Sequence, residues 1–349
     1  MILRSRRRAL AAPACLALAA LAALALATGG ATKSKKGAGK QPRGPYPSLG
    51  SCEVFPRSSA GPGAPAAADQ TAWNQDVSAA PLDPNSAAYI AYINSHGGDE
   101  LHPDFGSPRE YGIPYSVTRK KKAYRVKWTA YGDESDRGRY RVPPKALIEG
   151  GQRADGDRHA ISIDRKRCKL YELYRAFFAK GKKGKRKGGG RWKADSGVIW
   201  DLRSAALRTP GYTSADAAGL PIFPGLVRFD EAASGAFDHA LRVTFESTQN
   251  AWINPASHCA GDSADPAAPP MGLRLRLNAA YPAAGIGGPA GAIAVAMQRY
   301  GLIVADNGSN WFVSGTSDRR WDDDNLNQLK AIPGSAFEVV QSAAPVERC

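Results

Sequence analysis

Two carboxylates, Asp201 and Glu231, have the sequence surroundings expected of groups that do acid–base chemistry. Asp201 follows Trp200, and Glu231 comes shortly after a Gly/Pro-rich run at 219–225. Glycoside hydrolysis needs two carboxyl groups flanking the scissile bond, one protonated and one ionised. We therefore predict Asp201 and Glu231 as a catalytic pair, with the choice between retention and inversion left open. The alternative is that each acid is an ion-pair partner only.

Two histidines add a second chemical possibility. His159 begins a predicted strand, and His239 lies on the apolar face of another. Either imidazole, working with a tyrosine, could abstract a proton beside a uronate carboxylate that an arginine neutralises, which is lyase chemistry. A histidine on an apolar face is alternatively a hydrogen-bonded core residue, and this interpretation applies above all to His239.

Arginines on the polar faces of alternating strands are candidates for substrate binding. Arg242, Arg274 and Arg276 would share one face, with Arg203 and Arg228 nearby. A guanidinium group bonds two oxygens at once and suits hydroxyls or carboxylates of a polymer. If the sheet is concave, this face forms a groove. If it is not, the arginines point to solvent, as is usual for antiparallel sheets.

Aromatic side chains complete the predicted substrate-binding set. Trp200 and Trp311 are candidates for stacking on sugar rings, and Asn307, in the turn at 306–310, is the polar member of the set. The alternative role for the tryptophans is to fill the core.

Several enzyme classes are disfavoured by missing motifs. The sequence has no Gly-x-Ser-x-Gly elbow and no Walker loop, and no dinucleotide fingerprint follows the glycines at 285–288. Its five histidines lack the spacing of metal ligands, and no cysteine pair has zinc-ligand spacing. We predict neither a cofactor nor a metal.

The elements that must position these residues are mostly strands. Segments 159–164 and 168–177 alternate around a short turn, as a hairpin does. Segments 237–245 and 271–277 also alternate, and two short strands at 302–305 and 311–314 flank the turn at 306–310. Helical spacing or acidic N-terminal residues indicate helices at 86–95, 290–300 and 323–331. The pattern predicts a mainly β fold, a β-sandwich or jelly roll with two or three short helices and long loops.

Length and charge describe a globular body with basic appendages. The chain has 349 residues and a net charge of +15, and 43% of its residues are hydrophobic. Excess positive charge is concentrated in segments 1–43 and 180–193, and the remainder is nearly neutral. The basic loop insertion at 179–191 lacks interleaved aromatics, which favours a solvated loop and argues against nucleic acid as a partner. Contact of the basic segments with anionic envelope polymers is the minor alternative.

The N-terminus predicts export. A charged segment precedes an Ala/Leu-rich stretch that ends in a small-x-small cleavage site near Ala27, so residues 1–27 are typical of a signal peptide. The arginines at 6–8 leave the twin-arginine route open. The mature chain keeps four cysteines, an even number that indicates two disulfides. Of the three possible connectivities we favour Cys52–Cys168 and Cys259–Cys349, because these would tie down the N-terminal arm and the C-terminal tail.

Composition divides the chain into four parts. We predict a signal peptide at 1–27, a basic Gly/Pro/Ala-rich flexible tether at 28–70, one β-rich domain at 71–340 and a tail at 341–349, with the protein a monomer.

Several short stretches also support a resemblance. These are 156–159 (GDRH), 170–174 (LYELY), 200–204 (WDLRS), 214–221 (SADAAGLP), 270–274 (PMGLR) and 305–309 (ADNGS). Over roughly residues 50–340 the chain resembles a widespread group of secreted, uncharacterised bacterial proteins. The resemblance implies export and leaves the activity and its residues open.

Together these features predict a secreted carbohydrate-active protein, most simply a hydrolase acting on an extracellular or cell-wall polysaccharide. Two alternatives stay open, a non-catalytic glycan- or wall-binding protein and a polysaccharide lyase acting on uronate polymers.

Overall fold

The computed structural model describes residues 45–52, 54, 72–107, 111–181, 190–235, 237–342, 344 and 346–349. The predicted signal peptide, residues 28–44 and most of residues 53–70 of the predicted tether, and residue 71 lie outside the described residues, as do residues 182–189 of the predicted basic loop.

The fold is mainly β and sandwich-like, as the alternating segments predicted. Its strands are β1 (His102–Asp104), β2 (Tyr115–Thr118), β3 (Tyr124–Trp128), β4 (Arg139–Tyr140), β5 (Ala160–Asp164), β6 (Lys169–Tyr174), β7 (Phe177–Lys180), β8 (Gly190–Ala194), β9 (Ser196–Asp201), β10 (Leu241–Phe245), β11 (Ala251–Ile253), β12 (Arg274–Leu277), β13 (Leu302–Asn307), β14 (Phe312–Ser314), β15 (Phe337–Val339) and β16 (Val346–Arg348).

Short helices connect the strands. They are α1 (Ser86–Ser95), α2 (Phe229–Ser234), α3 (Gly288–Arg299) and α4 (Asp323–Asn327), and single 3₁₀ turns lie at Ala72–Asn74, Phe223–Gly225, Ala283–Gly285, Gln328–Ala331 and Gly334–Ala336. The predicted helix at 86–95 is confirmed, and the other two are confirmed within a few residues. Asp322 caps α4 by accepting from the backbone amides of Asp324 and Asn325.

The largest sheet is mixed, with strand order β1-β14-β10-β13-β12-β15. The turn at 306–310 does not form a hairpin, because β10 lies between β13 and β14. β10 and β13 run parallel, so both carboxyl ends lie at one edge of the sheet. Polar residues that follow these two strands are thereby brought together, as they are at ligand sites beside parallel strands.

A second sheet, β2-β5-β6-β9, contains the predicted hairpin and is buried on both faces. Ile161 and Leu170 belong to the main core, which they share with the largest sheet. Ala160 and Tyr171, their neighbours in sequence, belong to a second core. Because successive side chains on a strand point to opposite faces, this sheet is the middle layer of three.

The third sheet, β4-β3-β8-β7, covers the second core with aromatic side chains. Trp192 is almost fully buried there and donates its indole N–H to the carbonyl of Val142 at 3.0 Å. Tyr140 is also fully buried, and it packs edge-on against Tyr171 of the middle sheet. The outward face of the third sheet carries exposed basic residues and the exposed ring of Phe177.

Both predicted disulfides are present, Cys52–Cys168 and Cys259–Cys349. They indicate an oxidising, extracytoplasmic compartment. Segments predicted as tether and tail contact the body, since Tyr46 stacks on Tyr115 at 4.1 Å and β16 pairs with β11. Across the described part of the chain, every helix is too short or too polar to cross a bilayer.

Candidate active site

A polar cleft of about 420 Å³ opens where the carboxyl end of β13 meets three loops. Asp306 and Asn307 contribute the strand end, and Asp157 comes from the loop before β5. Segments 213–217 and 258–260 form the other walls. Three aspartates line this one cleft, at positions 157, 216 and 306.

Asp306 is the cleft carboxyl group whose burial and pKa differ most clearly from those of an exposed acid. It follows the buried run 302–305, and its side chain keeps 29% exposure. Burial, followed by the negative charge of Asp216, raises the pKa of Asp306 to about 7. Its Oδ1 also accepts the backbone N–H of Asn307 at 2.8 Å. A substantial fraction of Asp306 therefore carries a proton at neutral pH.

Asp216 and Arg242 form a buried ion pair behind Asp306. Nη2 and Nε of Arg242 donate to Oδ2 of Asp216 at 2.6 and 3.1 Å. Nη1 of the same guanidinium donates to Oγ of Ser314 at 2.8 Å, and Nη2 lies 3.9 Å from Oδ2 of Asp306. The charge of Arg242 is largely compensated by Asp216, which leaves Asp306 without a close full counter-charge.

His159 and Glu149 form a second buried pair next to this one. Nδ1 of His159 donates to Oε2 of Glu149 at 2.6 Å, and Nε2 donates to the carbonyl of Ala215 at 3.0 Å. Burial opposes the imidazolium, but the Glu149 carboxylate outweighs it and raises the pKa of His159 to about 9. With both nitrogens donating, His159 is a fixed cation that holds the 213–217 wall, and its geometry does not suit a general base.

Asp157 faces the cleft beside Tyr174. The phenol of Tyr174 donates to Oδ1 of Asp157 at 3.4 Å, a long contact. Burial, with a contribution from the charge of Asp157, raises the pKa of Tyr174 to about 12, so this tyrosine remains a donor. The next residue, Arg158, has a φ of +50°, a left-handed conformation that turns the chain between Asp157 and His159. The charge of Asp157 also contributes to the raised pKa of Asp306.

The opposite wall carries His258 and Tyr131. Nδ1 of His258 donates to the carbonyl of Ala217 at 3.0 Å, which ties the two wall segments together. The adjacent Cys259 is bonded to Cys349. Tyr131 is 46% exposed at the cleft, so its ring is available to a ligand.

Two groups of side chains have ligand atoms close enough together to suggest a metal. Glu149, Asp157 and His159 form one, but hydrogen bonds already engage both imidazole nitrogens of His159. The other is Glu231, Asp238 and His239, and there the guanidinium of Arg228 already contacts both Glu231 and His239. The donor geometry of both groups fits hydrogen-bonded ion pairs better than a metal centre.

The predicted pair of Asp201 and Glu231 is not brought together by any described contact. Asp201 ends β9 and pairs with Arg203 and Lys169, each at 3.0 Å. The Arg203 guanidinium holds the pKa of Asp201 well below its usual range, so this carboxyl group is a poor acid. A catalytic role for the pair stays a prediction, without support from a shared cleft.

Glu231 lies on α2 in a separate cluster. It pairs with Arg228 and lies 3.3 Å from Nε2 of His239. Burial opposes its ionisation, but Arg228 and His239 lower the pKa of Glu231. Nδ1 of His239 donates to the carbonyl of Ala240 at 2.7 Å. His239 thus has the hydrogen-bonded core position that was its alternative interpretation.

The predicted substrate-binding residues are distributed over several surroundings. Asn307 lines the cleft, and Arg242 lies just behind it, only 3% exposed. Arg274 is enclosed and donates to the backbone carbonyl of Tyr300 at 2.6 Å. Arg276, its predicted neighbour in the groove, pairs with Glu338 at 2.7 Å. Arginines that alternation placed on a polar face are instead bonded to backbone and carboxylate oxygens.

The two predicted tryptophan platforms lie in the core. The indole of Trp200 donates to Oε2 of Glu172 at 3.0 Å, and that of Trp311 donates to Oδ1 of Asn94 at 2.9 Å. Trp311 has no exposed surface and Trp200 has 8%. Their alternative role, filling the core, is the one the structure shows.

Asp306, Asp157 and Asp216 are candidate site residues that the sequence pattern did not identify. The segment 306–310 has the composition of a turn, although the run of four apolar residues before Asp-Asn is typical of a strand that ends at a ligand site. The parallel pairing of β10 with β13, which alternation does not reveal, places Arg242 behind Asp306.

The chain matches no family model, no curated protein and no solved structure.

Proposed function

We propose that this protein is an exported glycoside hydrolase in which Asp306 is the acid and Asp157 the second carboxylate. The proposal rests on the placement of Asp306 and Asp157 in one polar cleft, where burial raises the pKa of Asp306 to about 7. This combination is what the hydrolysis of a glycosidic bond requires. The signal peptide at 1–27 would direct export, in keeping with the two disulfides.

In this mechanism Asp306 transfers its proton to the glycosidic oxygen as the bond to the anomeric carbon breaks. The Asp157 carboxylate accepts a proton from the attacking water, or attacks the anomeric carbon itself. Burial, followed by the negative charge of Asp216, raises the pKa of Asp306 and so favours its protonated form before the reaction. The phenol of Tyr174 orients Asp157.

The charge around the cleft favours a neutral sugar over a uronate. Asp157, Asp216 and Asp306 all line it, and the nearest guanidinium, that of Arg242, is engaged by Asp216. Among the described lining residues no arginine faces the cleft, so a uronate carboxylate has no guanidinium partner there. Tyr131 provides an exposed ring for stacking on the apolar face of a sugar. These features support hydrolysis of a neutral glycan over lyase chemistry.

The proposal is tested by screening neutral polysaccharides for new reducing ends with the wild-type protein, Asp306→Asn and Asp157→Asn. We expect each substitution to lower the rate at least 100-fold while the fold is kept, because each removes one half of the acid–base pair. Asp262→Asn, an exposed aspartate outside the cleft, is the matched control and should keep the wild-type rate.

Two other outcomes would contradict this mechanism. Products that persist in both cleft variants, or that disappear in Asp201→Asn or Glu231→Gln, would return the chemistry to the pair predicted from sequence. Oligosaccharide binding that survives Asp306→Asn, with no product from the wild type, would identify a non-catalytic glycan-binding protein, for which the exposed Tyr131 is the supporting observation.

A further inference from the structure

The outward face of the third sheet carries only basic charges among its described charged residues. Five exposed side chains form this basic face, and they come from three adjacent strands. They are Arg125 and Lys127 of β3, Arg139 of β4, and Arg191 and Lys193 of β8.

The strand register places like charges directly opposite each other. Arg125 pairs across the strands with Arg139, and Lys127 pairs with Lys193. Neighbouring strands lie about 4.8 Å apart, and like charges at this separation destabilise a sheet. These paired basic side chains therefore repel each other and do not stabilise the sheet.

The positive charges of the basic face have no carboxylate partners among the described residues. In the described part of the chain, no carboxylate oxygen lies within the 4.0 Å salt-bridge distance of any of the five basic groups. Asp195, which directly follows β8, pairs with Arg175 at 3.4 Å and accepts from the hydroxyl of Thr129. The five charges are thus available to an external anion.

The opposite face of the same strands makes the array rigid. Trp192 lies between Arg191 and Lys193 in sequence, Tyr124 directly precedes Arg125, and both rings belong to the second core. The ring of Phe178, from β7, packs against both of them. A face anchored in this way keeps its charges at a fixed spacing of about 7 Å along a strand. The protein therefore loses little conformational entropy when a polymer binds.

We propose that the basic face binds an acidic polysaccharide, a linear glycan with carboxylate groups along its length. Such a polymer presents a row of anions to a row of cations and relieves the repulsion between Lys127 and Lys193. The basic face consists of residues different from those of the cleft, and this proposal does not depend on the proposed hydrolase.

Two other polyanions fit the basic face less well. A nucleic acid would be expected to stack its bases on several aromatic rings, and a membrane would be expected to take up apolar side chains. Among the described residues of this face, Phe177 is the one large apolar side chain exposed, and the guanidinium of Arg158 lies 4.1 Å from its ring centre. The disulfides also place the protein away from cytoplasmic nucleic acid.

The test compares two fourfold glutamine variants of the mature chain that lose the same charge. The face variant replaces Arg125, Lys127, Arg139 and Lys193. The control variant replaces the exposed residues Lys145, Arg153, Lys166 and Arg319. Binding to polygalacturonate is measured by titration calorimetry at several salt concentrations, with neutral dextran as the uncharged polymer.

We expect the wild type to bind polygalacturonate and not dextran. The face variant should bind at least tenfold more weakly at 50 mM salt and show a shallower dependence on salt, because fewer counterions are released. The control variant should stay within threefold of the wild type. The midpoint of thermal unfolding of the face variant should equal or exceed that of the wild type, since like charges are removed.

Equal weakening in both variants would overturn the proposal, because net charge alone would then explain binding. Tighter wild-type binding to a 24-nucleotide single-stranded DNA, or to vesicles of phosphatidylglycerol and phosphatidylcholine, would also overturn it and identify a different partner. Failure to bind polygalacturonate at 50 mM salt would do the same. None of these outcomes alters the expected effect of Asp306→Asn on hydrolysis.

Discussion

Nη2 of Arg242 lies 2.6 Å from Oδ2 of Asp216, and neither side chain is more than 4% exposed. This pair joins β10 to the loop that forms one wall of the cleft, so it links the largest sheet to the candidate active site. Removing one member leaves the other charge buried and uncompensated, which is far more costly than losing an exposed pair.

Asp216→Asn is accordingly expected to lower the free energy of unfolding by about 3–5 kcal/mol. Equilibrium unfolding in urea measures the change. Asp201→Asn is the control, because its ion-pair partners Arg203 and Lys169 are partly exposed, and it should cost much less stability. If the two substitutions had equal effects, the pair behind the cleft would not stabilise the fold.

The protonation of Asp306 can be measured without any substrate. In carbon-13 NMR of aspartate-labelled protein, the carboxyl resonance of Asp306, identified by its absence from Asp306→Asn, should titrate near pH 7. Asp216→Asn removes a negative charge that raises this pKa, so the titration should move to lower pH in the fraction that stays folded. An Asp306 that titrates near pH 4 in the wild type would remove the acid from the proposed mechanism.

If hydrolysis is observed, its rate should fall as the pH rises through about 7, because Asp306 then loses the proton that it must donate. A rate that stayed constant up to pH 9 would mean that another group is the acid.

Glu172 makes the stability of the middle sheet depend on pH. It has no exposed surface, and burial raises its pKa to about 7 even though it accepts the backbone amides of Ile222 and Phe223. The folded state binds this proton more tightly than the unfolded state. The stability that protonated Glu172 contributes to the fold is therefore fully present below pH 4.5 and is lost as the pH rises through about 7.

Glu172→Gln should remove this dependence. As the pH rises from 4.5 to 8, the free energy of unfolding of the variant should increase by about 3 kcal/mol relative to that of the wild type. Thermal and urea unfolding across this range test the difference, with the exposed Glu100→Gln as the control. Parallel stability curves for Glu172→Gln and the wild type would contradict the assignment.

The two disulfides should differ in their effect on the cleft. Cys259 lines it and is bonded to Cys349, whereas the bond between Cys52 and Cys168 ties the N-terminal arm to the middle sheet. Replacing either pair with serine should cost about 2–5 kcal/mol. Only loss of the Cys259–Cys349 bond should also speed amide hydrogen exchange at Ser257 and His258. Equal exchange in the two variants would show that the bond does not hold the wall.

The sequence by itself determined the elements and the covalent ties. Period-two alternation fixes which residues of a strand face a core, so the hairpin of β5 and β6 and the mainly β class followed from the pattern. The disulfide pairing was favoured because each bond would tie down a terminal segment, and the structure confirms both bonds.

Only the tertiary structure shows where the candidate site lies, because the alternation of apolar and polar residues along a strand does not reveal the order of strands in a sheet. β10 pairs with β13, which lies far along the chain, and this pairing allows the guanidinium of Arg242 to lie 3.9 Å from the carboxyl group of Asp306. Alternation places Arg242 on a polar face, and residue type makes Trp200 a candidate platform, yet the packing of distant segments around the main core buries both. A local pattern gives the direction of a side chain, whereas its environment depends on which distant segment packs against it.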